Sequence, residues 1–346
     1  MTDRLVRMLD RRPYLLADGA TGTNYFEMGL QSGDAPELWN LDHPERVADL
    51  HRRMIEAGAD IILTNSFGGT RYRLKLHQMD NRVAELNQAA ARIARRVADE
   101  MGEKLGREIA VAGSMGPTGE LFEPLGPLTI AEGRAAFAEQ AKALAAGGAD
   151  VAWVETMSSK DELAAAVAGA GDSFLPVVCT LSFDTNGHTM MGVTPAEVAR
   201  LCHGLAPRPL AFGANCGTGP AELVAALVNM APAEQPGDII VAKGNCGVPH
   251  FDAGRIVYDG TPELMADYAR MARDAGARII GGCCGTSPGH LAAIRAALEG
   301  YQPGQLPTVA DVTARLGRVS AGTEGLGAGV DPGTGGDRPR RRGRRG

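Results

Sequence analysis

Short, nearly continuous apolar runs recur along this chain, separated by longer stretches with the three-to-four-residue spacing of amphipathic helices. Runs without polar alternation are typical of parallel strands that are covered on both faces. The predicted strands cover residues 14–19, 60–66, 108–114, 150–156, 175–182, 209–215, 238–243 and 277–281. The predicted helices cover residues 44–57, 82–101, 130–146, 160–168, 195–205, 221–230, 262–274 and 288–298.

Eight strands that alternate with helices predict an α/β fold, a (β/α)8 TIM barrel with its active site at the C-terminal face of the strands. An open, doubly wound sheet is the alternative. The glycine-rich segments 19–22 and 213–219 do not make the G-x-G-x-x-G fingerprint of dinucleotide-binding sheets, which weakens that alternative.

Two adjacent cysteines, Cys283 and Cys284, follow the last predicted strand directly after two glycines. Cys216 stands in the same context after the sixth strand. Thiolates bind zinc well, and three protein ligands with one open position are typical of catalytic zinc. We therefore expect Cys216, Cys283 and Cys284 to hold Zn²⁺. Cys179 and Cys202 are expected in the core, and Cys246 fits either role.

Polar residues occupy the carboxyl end of nearly every predicted strand, where a barrel gathers them on one face. They are Asp18, Asn65, Ser114, Glu155, Ser182, Asn215 and Asn245. Asp and Asn are also common in turns and helix caps, so Asp18 and Asn65 taken singly fit that role equally well.

The composition of the 346 residues, with 44% hydrophobic and 22% charged side chains, is that of a globular protein. The first ten residues predict no secretory signal, and no apolar run approaches a membrane span. Six cysteines in this context predict reduced thiols in the cytoplasm. The net charge of −6 makes broad nucleic-acid binding unlikely.

The composition changes near residue 318. Residues 319–346 are rich in glycine and end in an arginine cluster, which predicts a disordered tail after a domain at 1–318. Arginine-glycine tails bind RNA in some proteins, and that role is the alternative for this segment.

Six motifs resemble the homocysteine S-methyltransferases, which include betaine-homocysteine methyltransferase and the homocysteine-binding module of cobalamin-dependent methionine synthase. They span roughly residues 12 to 300, in the order of the family. The motifs are DGATGT at 18–23, LTNSFG at 63–68, GSMGPTG at 113–119, ET at 155–156, GANC at 213–216 and GGCCGT at 281–286.

The resemblance implies a zinc-containing barrel in which Cys216, Cys283 and Cys284 are the metal ligands. Asp18 and Glu155 match acids that bind the amino group of homocysteine, and Gly19 adjoins Asp18 in the same motif. The remaining match, Asn245, lies near the amino acid and the open zinc position in the family.

The resemblance to bacterial betaine-homocysteine methyltransferases is especially close and includes residues 35–40, 73–77, 121–128 and 260–268. It implies methyl transfer from glycine betaine to the homocysteine thiolate, giving methionine and dimethylglycine. A quaternary ammonium needs aromatic faces, and Trp39 is the expected one. Where the animal enzymes have tyrosines, this chain has residues 67–69 and Thr156. The possible substitutes are Phe26, Phe67, Tyr72 and Phe122.

Two other interpretations remain open. One is a homocysteine S-methyltransferase that takes its methyl group from a methylcorrinoid partner protein, S-methylmethionine or another sulfonium. The other is non-catalytic, either a zinc-thiolate redox sensor or a tail-mediated RNA binder. The presence of Asp18 and Glu155 argues against a sensor, which needs sulfurs but no amino-acid pocket. An oligomer is possible in every case.

Overall fold

Eight parallel strands close into a barrel in the computed structural model, which describes residues 4–252 and 255–326. The barrel strands are β1 (Leu15–Leu16), β2 (Ile61–Leu63), β3 (Ala110–Met115), β4 (Val151–Met157), β5 (Val177–Leu181), β6 (Ala211–Cys216), β7 (Ile240–Gly244) and β10 (Ala277–Gly282). Two further strands, β8 (Pro249–Asp252) and β9 (Arg255–Tyr258), form a separate sheet. The barrel order is β1-β10-β7-β6-β5-β4-β3-β2. A bridge between Ala17 and Ile61 joins its two ends, so the predicted (β/α)8 barrel is confirmed.

Helices surround the strands. They are α1 (Arg4–Arg11), α2 (Gly22–Glu27), α3 (Trp39–Asp42), α4 (Pro44–Glu56), α5 (Arg71–Lys75), α6 (Val83–Leu105), α7 (Ile130–Gly147), α8 (Lys160–Gly171), α9 (Pro195–Gly204), α10 (Pro220–Met230), α11 (Pro262–Asp274), α12 (Pro288–Leu298), α13 (Val309–Leu316) and α14 (Ala321–Leu326). Local sequence sets several starts: Thr129 with Glu132, and Thr194 with Glu197, form capping boxes at α7 and α9.

The interior of the barrel is filled by side chains from all eight of its strands. Trp153 of β4 is the largest of these and is fully buried. Leu5 and Leu9 of α1 pack onto the same cluster. A second and larger cluster lies between the strands and the outer helices. Because the interior is packed, the residues that act on ligands are expected at the carboxyl ends of the strands and in the loops that follow them.

Several described elements lie outside the predicted pattern: the helices α1, α2, α3, α5, α13 and α14, and one hairpin. The antiparallel hairpin β8–β9 was not predicted and lies in the connection between β7 and α11. Helix α14 lies inside the predicted tail, where Thr323 is buried and donates a 2.6 Å hydrogen bond to Glu222. This contact explains the order at 321–326. The rest of the predicted tail, 327–346, lies outside the described residues.

Candidate active site

Three cysteines meet at the C-terminal face of the barrel. Cys216 ends β6, while Cys283 and Cys284 follow β10, and their sulfur atoms all lie within 4.8 Å of one another. The Sγ atoms of Cys216 and Cys283 are 2.7 Å apart. All three are free thiols. The structure therefore brings together the three cysteines that the sequence predicts as a cluster, although Cys216 and Cys283 are 67 positions apart along the chain.

The backbone around the cluster is sharply bent. Cys216 adopts a left-handed conformation with φ of 57°, which is uncommon outside glycine and frequent at functional sites. At Gly282 a Cβ atom would lie 2.3 Å from Thr286, so only glycine allows this loop to fold back on itself. These bends turn the three sulfurs toward one point.

Two asparagines hold the cysteine loops in place. Asn245 Nδ2 donates to the Gly217 carbonyl at 2.7 Å, and its Oδ1 accepts from the Cys284 N–H at 3.0 Å. Asn215 accepts from the Thr156 N–H at 2.8 Å and donates to the Thr156 hydroxyl at 2.7 Å. Asn245 thus connects the two cysteine loops and does not line the adjoining cavity.

The sulfurs are electrostatically linked. Hydrogen bonds from Cys216 and Cys283 lower the pKa of the Cys284 thiol, so the negative charge of one thiolate is shared within the cluster. Thiolates are the form that binds metals, and three of them suit a sulfur-loving divalent ion. Cys246 is not part of the cluster: its thiol donates to the Gly260 carbonyl at 3.2 Å, while Cys179 and Cys202 are buried together in the core.

A cavity of about 550 Å³ opens beside the cluster. Its wall combines the cysteines with residues from the loops after β1 and β2 and from the carboxyl ends of β3, β4 and β7. The residues that line this cavity include Gly19, Phe26, Asp34, Phe67, Arg73, Leu76, Ser114, Glu155 and Lys243. A cavity of this size accommodates small organic molecules.

Glu155 lies in β4 on the wall of this cavity and is 7% exposed. The Ser114 hydroxyl donates to its Oε1 atom at 2.5 Å. Burial raises the pKa of Glu155 to about 7, while Lys243 and the Ser114 hydrogen bond oppose that increase. Near neutral pH this carboxyl group can therefore change its charge in response to a ligand.

Asp18 is buried in an ion pair. Its Oδ1 accepts a 2.8 Å hydrogen bond from Lys243 Nζ, and its Oδ2 accepts one of 2.7 Å from the Leu63 N–H. Burial alone would lower the pKa of Lys243, but Asp18 and Glu155 more than offset it and the pKa lies above its ordinary value. Lys243 lines the cavity and Asp18 does not, unlike the direct substrate contact expected from the sequence.

Comparison with known proteins identifies the family. A sequence model described as homocysteine S-methyltransferase matches residues 15–298. This chain belongs to the homocysteine S-methyltransferase family. Within this family its sequence is 33% identical over 309 residues to a methionine synthase of Mycobacterium tuberculosis, covering 85% of this chain and 25% of that protein. A methionine synthase of Mycobacterium leprae is 32% identical over 321 residues, covering 88% and 26%.

The chain thus spans about a quarter of the length of these methionine synthases. Among solved structures, the metallated form of the homocysteine methyltransferase MmuM from Escherichia coli matches with a TM-score of 0.70 and 25% identity. That match covers 84% of this chain and 99% of the other. The resemblance noted from the sequence motifs is therefore confirmed for the family.

The aromatic residues expected to surround a methyl donor divide into two groups in this chain. Phe26 and Phe67 line the cavity and are 54% and 39% exposed. Trp39 does not line it: the ring is 6% exposed and packs 5.2 Å from Tyr25 and 5.1 Å from the Arg46 guanidinium. Tyr72 and Phe122 belong to a separate cluster with Leu128. The Trp39 ring is thus packed within the fold, and its contact with a methyl donor stays a prediction.

Three further residues line the cavity; the sequence indicated one of them as a site residue and missed the other two. Gly19 lines the cavity, and a Cβ atom there would lie 2.6 Å from the Thr286 carbonyl, so this glycine lets two loops approach. Lys243 was missed, although a lysine at the end of an apolar strand run is an unusual signal. Arg73, also missed, is half-buried, and among the described residues its guanidinium makes no hydrogen bond or ion pair. Burial raises the pKa of the nearby Glu37, and the charge of Arg73 opposes that rise.

Within the described ranges, no helix is both long and apolar enough to cross a bilayer.

Proposed function

We propose that this chain transfers a methyl group to the thiol of L-homocysteine, giving methionine, with Zn²⁺ held by Cys216, Cys283 and Cys284. The observation that carries the proposal is the position of three sulfurs within 4.8 Å of one another on the wall of a cavity that also contains Glu155. A cluster of cysteine sulfurs without any other binding group would be sufficient for a zinc-thiolate redox sensor. An adjoining buried carboxylate adds a means of binding an amino acid.

The donor set fits zinc. Three cysteine sulfurs that are free, mutually close and open to a cavity provide three ligands and leave one position for a substrate. When bound there, zinc would favour the thiolate form of homocysteine, the form that attacks a methyl carbon, without redox side reactions. Asn245 would keep the two ligand loops at their present separation through its two hydrogen bonds.

Glu155 binds the homocysteine ammonium in this mechanism. Its Oε1 atom is held by Ser114, and the residue lies in the cavity wall with Cys283. Anchoring the amino acid at this point fixes the distance of its thiol from the cysteine cluster, which lowers the entropy cost of the reaction. Asp18 contributes through Lys243, with which it forms a buried pair.

Glycine betaine is the methyl donor we propose. Phe26 and Phe67 offer aromatic faces to its quaternary ammonium inside the cavity. The half-buried Arg73 offers a guanidinium to its carboxylate. The cavity of about 550 Å³ holds two small molecules of this kind. The by-product is dimethylglycine, and the reduced thiols that this chemistry needs suit a cytoplasmic location.

A second candidate donor is a methylcorrinoid bound by a partner protein. The similarity to two methionine synthases favours it. A further observation is the apolar part of the cavity lining, where Phe26 and Leu76 are 54% and 70% exposed. S-methylmethionine or another sulfonium would use the same aromatic faces as betaine.

The deciding experiment measures methionine formation by the zinc-loaded protein with homocysteine and each donor in turn: glycine betaine, S-methylmethionine, dimethylsulfoniopropionate and a methylcorrinoid protein. Turnover with betaine supports the full proposal. Turnover only with another donor keeps the homocysteine chemistry and removes betaine. If no donor yields methionine from a protein that retains zinc, the proposed activity is wrong.

A further inference from the structure

Lys243 is a fully buried ammonium with unused hydrogen-bonding capacity. An ammonium carries three N–H donors. Among the described residues, the hydrogen bond of Lys243 is the 2.8 Å one to Asp18. The side chain is 2% exposed, yet the residue lines the cavity that contains the cysteine cluster. Two donors therefore remain for a group that enters this cavity.

Glu155, on the same cavity wall, has an unused hydrogen-bond acceptor. Its Oε1 atom accepts from Ser114, while Oε2 has no hydrogen-bond partner among the described residues. The cavity thus presents one buried cation and one buried carboxyl group that are not paired with each other within 4.0 Å, since Lys243 pairs with Asp18 instead. An α-amino acid carries the complementary pair, an ammonium and a carboxylate on one carbon.

We propose that Lys243 binds the α-carboxylate of the amino-acid substrate while Glu155 binds its ammonium, with Asp18 as the positioning residue for Lys243. This inference rests on the proposed function and adds its substrate class: thiols that carry a free α-carboxylate. Because Asp18 compensates the charge of Lys243, the ammonium remains a donor and does not act as a base. Thiol amines without a carboxylate should bind poorly.

Binding of two thiols to the zinc-loaded protein, without a methyl donor, tests the inference by calorimetry. The ligands are L-homocysteine and 3-aminopropanethiol, which is homocysteine without its carboxylate. The wild type should bind homocysteine roughly 10- to 100-fold more tightly, the range for a hydrogen bond to a charged group. In Lys243→Met this ratio should fall toward one. Lys142→Met, an exposed lysine on α7, is the matched control and should keep the wild-type ratio.

Lys243→Met leaves Asp18 buried without its partner, which can prevent folding. The double variant Lys243→Met with Asp18→Asn removes both charges and is measured in the same way. A ratio that persists in either folded variant overturns the assignment and transfers carboxylate binding to the backbone of residues 19–23. Equal affinity for the two thiols in the wild type, or no binding of either, also overturns it.

The outcome is separable from that of the proposed function. Discrimination that depends on Lys243, combined with no methionine from any donor, supports the carboxylate site and rejects the methyl transfer. Methionine formation combined with equal affinity for the two thiols supports the methyl transfer and rejects the role of Lys243.

Discussion

Lys243 Nζ lies 2.8 Å from Asp18 Oδ1, and the two side chains are only 2% and 5% exposed. Removing one member of a buried ion pair leaves the other charge without compensation. Asp18→Asn should therefore lower the free energy of unfolding by about 3–5 kcal/mol. Urea denaturation followed by circular dichroism measures the change, and zinc content should stay at the wild-type level because Asp18 is not in the cysteine cluster.

Asp34→Asn is the matched control, since Asp34 is an exposed acid that lines the same cavity. Its effect on stability should stay within about 0.5 kcal/mol. An Asp18→Asn protein that is as stable as the wild type, yet loses more affinity for homocysteine than Lys243→Met does, would contradict the role of Asp18 as a partner of Lys243. That result would assign Asp18 to direct substrate binding, as the family resemblance implies.

Cys283→Ala should abolish tight zinc binding and methyl transfer while the barrel remains folded. Two sulfurs, those of Cys216 and Cys284, would remain, and two ligands do not make a stable zinc site. Metal content after dialysis against a weak chelator, measured by mass spectrometry, checks the first effect. Circular dichroism checks the fold.

Cys246→Ala provides the comparison for this experiment. Cys246 is buried near the cluster, with its N–H bonded to the Cys284 carbonyl at 2.8 Å, but its thiol contacts Gly260. This variant should keep its full zinc content. Loss of zinc from Cys246→Ala together with retention in Cys283→Ala would refute the ligand assignment.

The contrast between these residues shows what the sequence could predict. The eight barrel strands were predictable because each is a short apolar run, and the cysteines were predictable because glycines flank them. The hairpin β8–β9 was missed because each of its strands has four residues of mixed polarity. The ion pair of Asp18 was not predictable, since its partner is 225 residues away along the chain.

The packing of Trp39 was not predictable for a similar reason. A tryptophan near an expected cavity suggests a ligand contact, but whether its ring faces the cavity depends on packing among distant elements. Here Tyr25 and Arg46 surround the ring. No local motif records this burial.

Phe67 and Trp39 should consequently respond differently to substitution. Phe67→Ala should raise the KM for betaine roughly 2- to 30-fold, the range of a cation–π contact, with a smaller effect on the KM for homocysteine. Trp39→Ala should instead lower the free energy of unfolding by about 3–5 kcal/mol, because it removes a large buried side chain. Steady-state kinetics and urea denaturation of both variants check the two expectations.

Leu76→Ala controls for the general loss of apolar surface, because Leu76 lines the same cavity and carries no aromatic ring. It should leave the betaine KM within about twofold of the wild type, as expected without a cation–π contact. If Leu76→Ala and Phe67→Ala raise this KM equally, the aromatic face is not what binds the donor.

Glu155 should make amino-acid binding depend on pH. Burial raises the pKa of this carboxyl to about 7, and only its ionised form attracts an ammonium. Below that pH the group is protonated, so affinity should rise as the pH increases through about 7 and then level off. L-methionine is the suitable ligand because it has no thiol that titrates. Calorimetry between about pH 5.5 and 8 measures the profile, within which the α-amino group stays largely protonated.

Two variants distinguish this origin from other titrations. Glu155→Gln should bind methionine roughly 10- to 100-fold more weakly above pH 7 and lose the inflection, with zinc retained, because a charged contact is removed. Ser114→Ala removes a hydrogen bond that lowers the pKa of Glu155, so its inflection should move to higher pH. An inflection that stays in Glu155→Gln, or that moves to lower pH in Ser114→Ala, would show that another group controls binding.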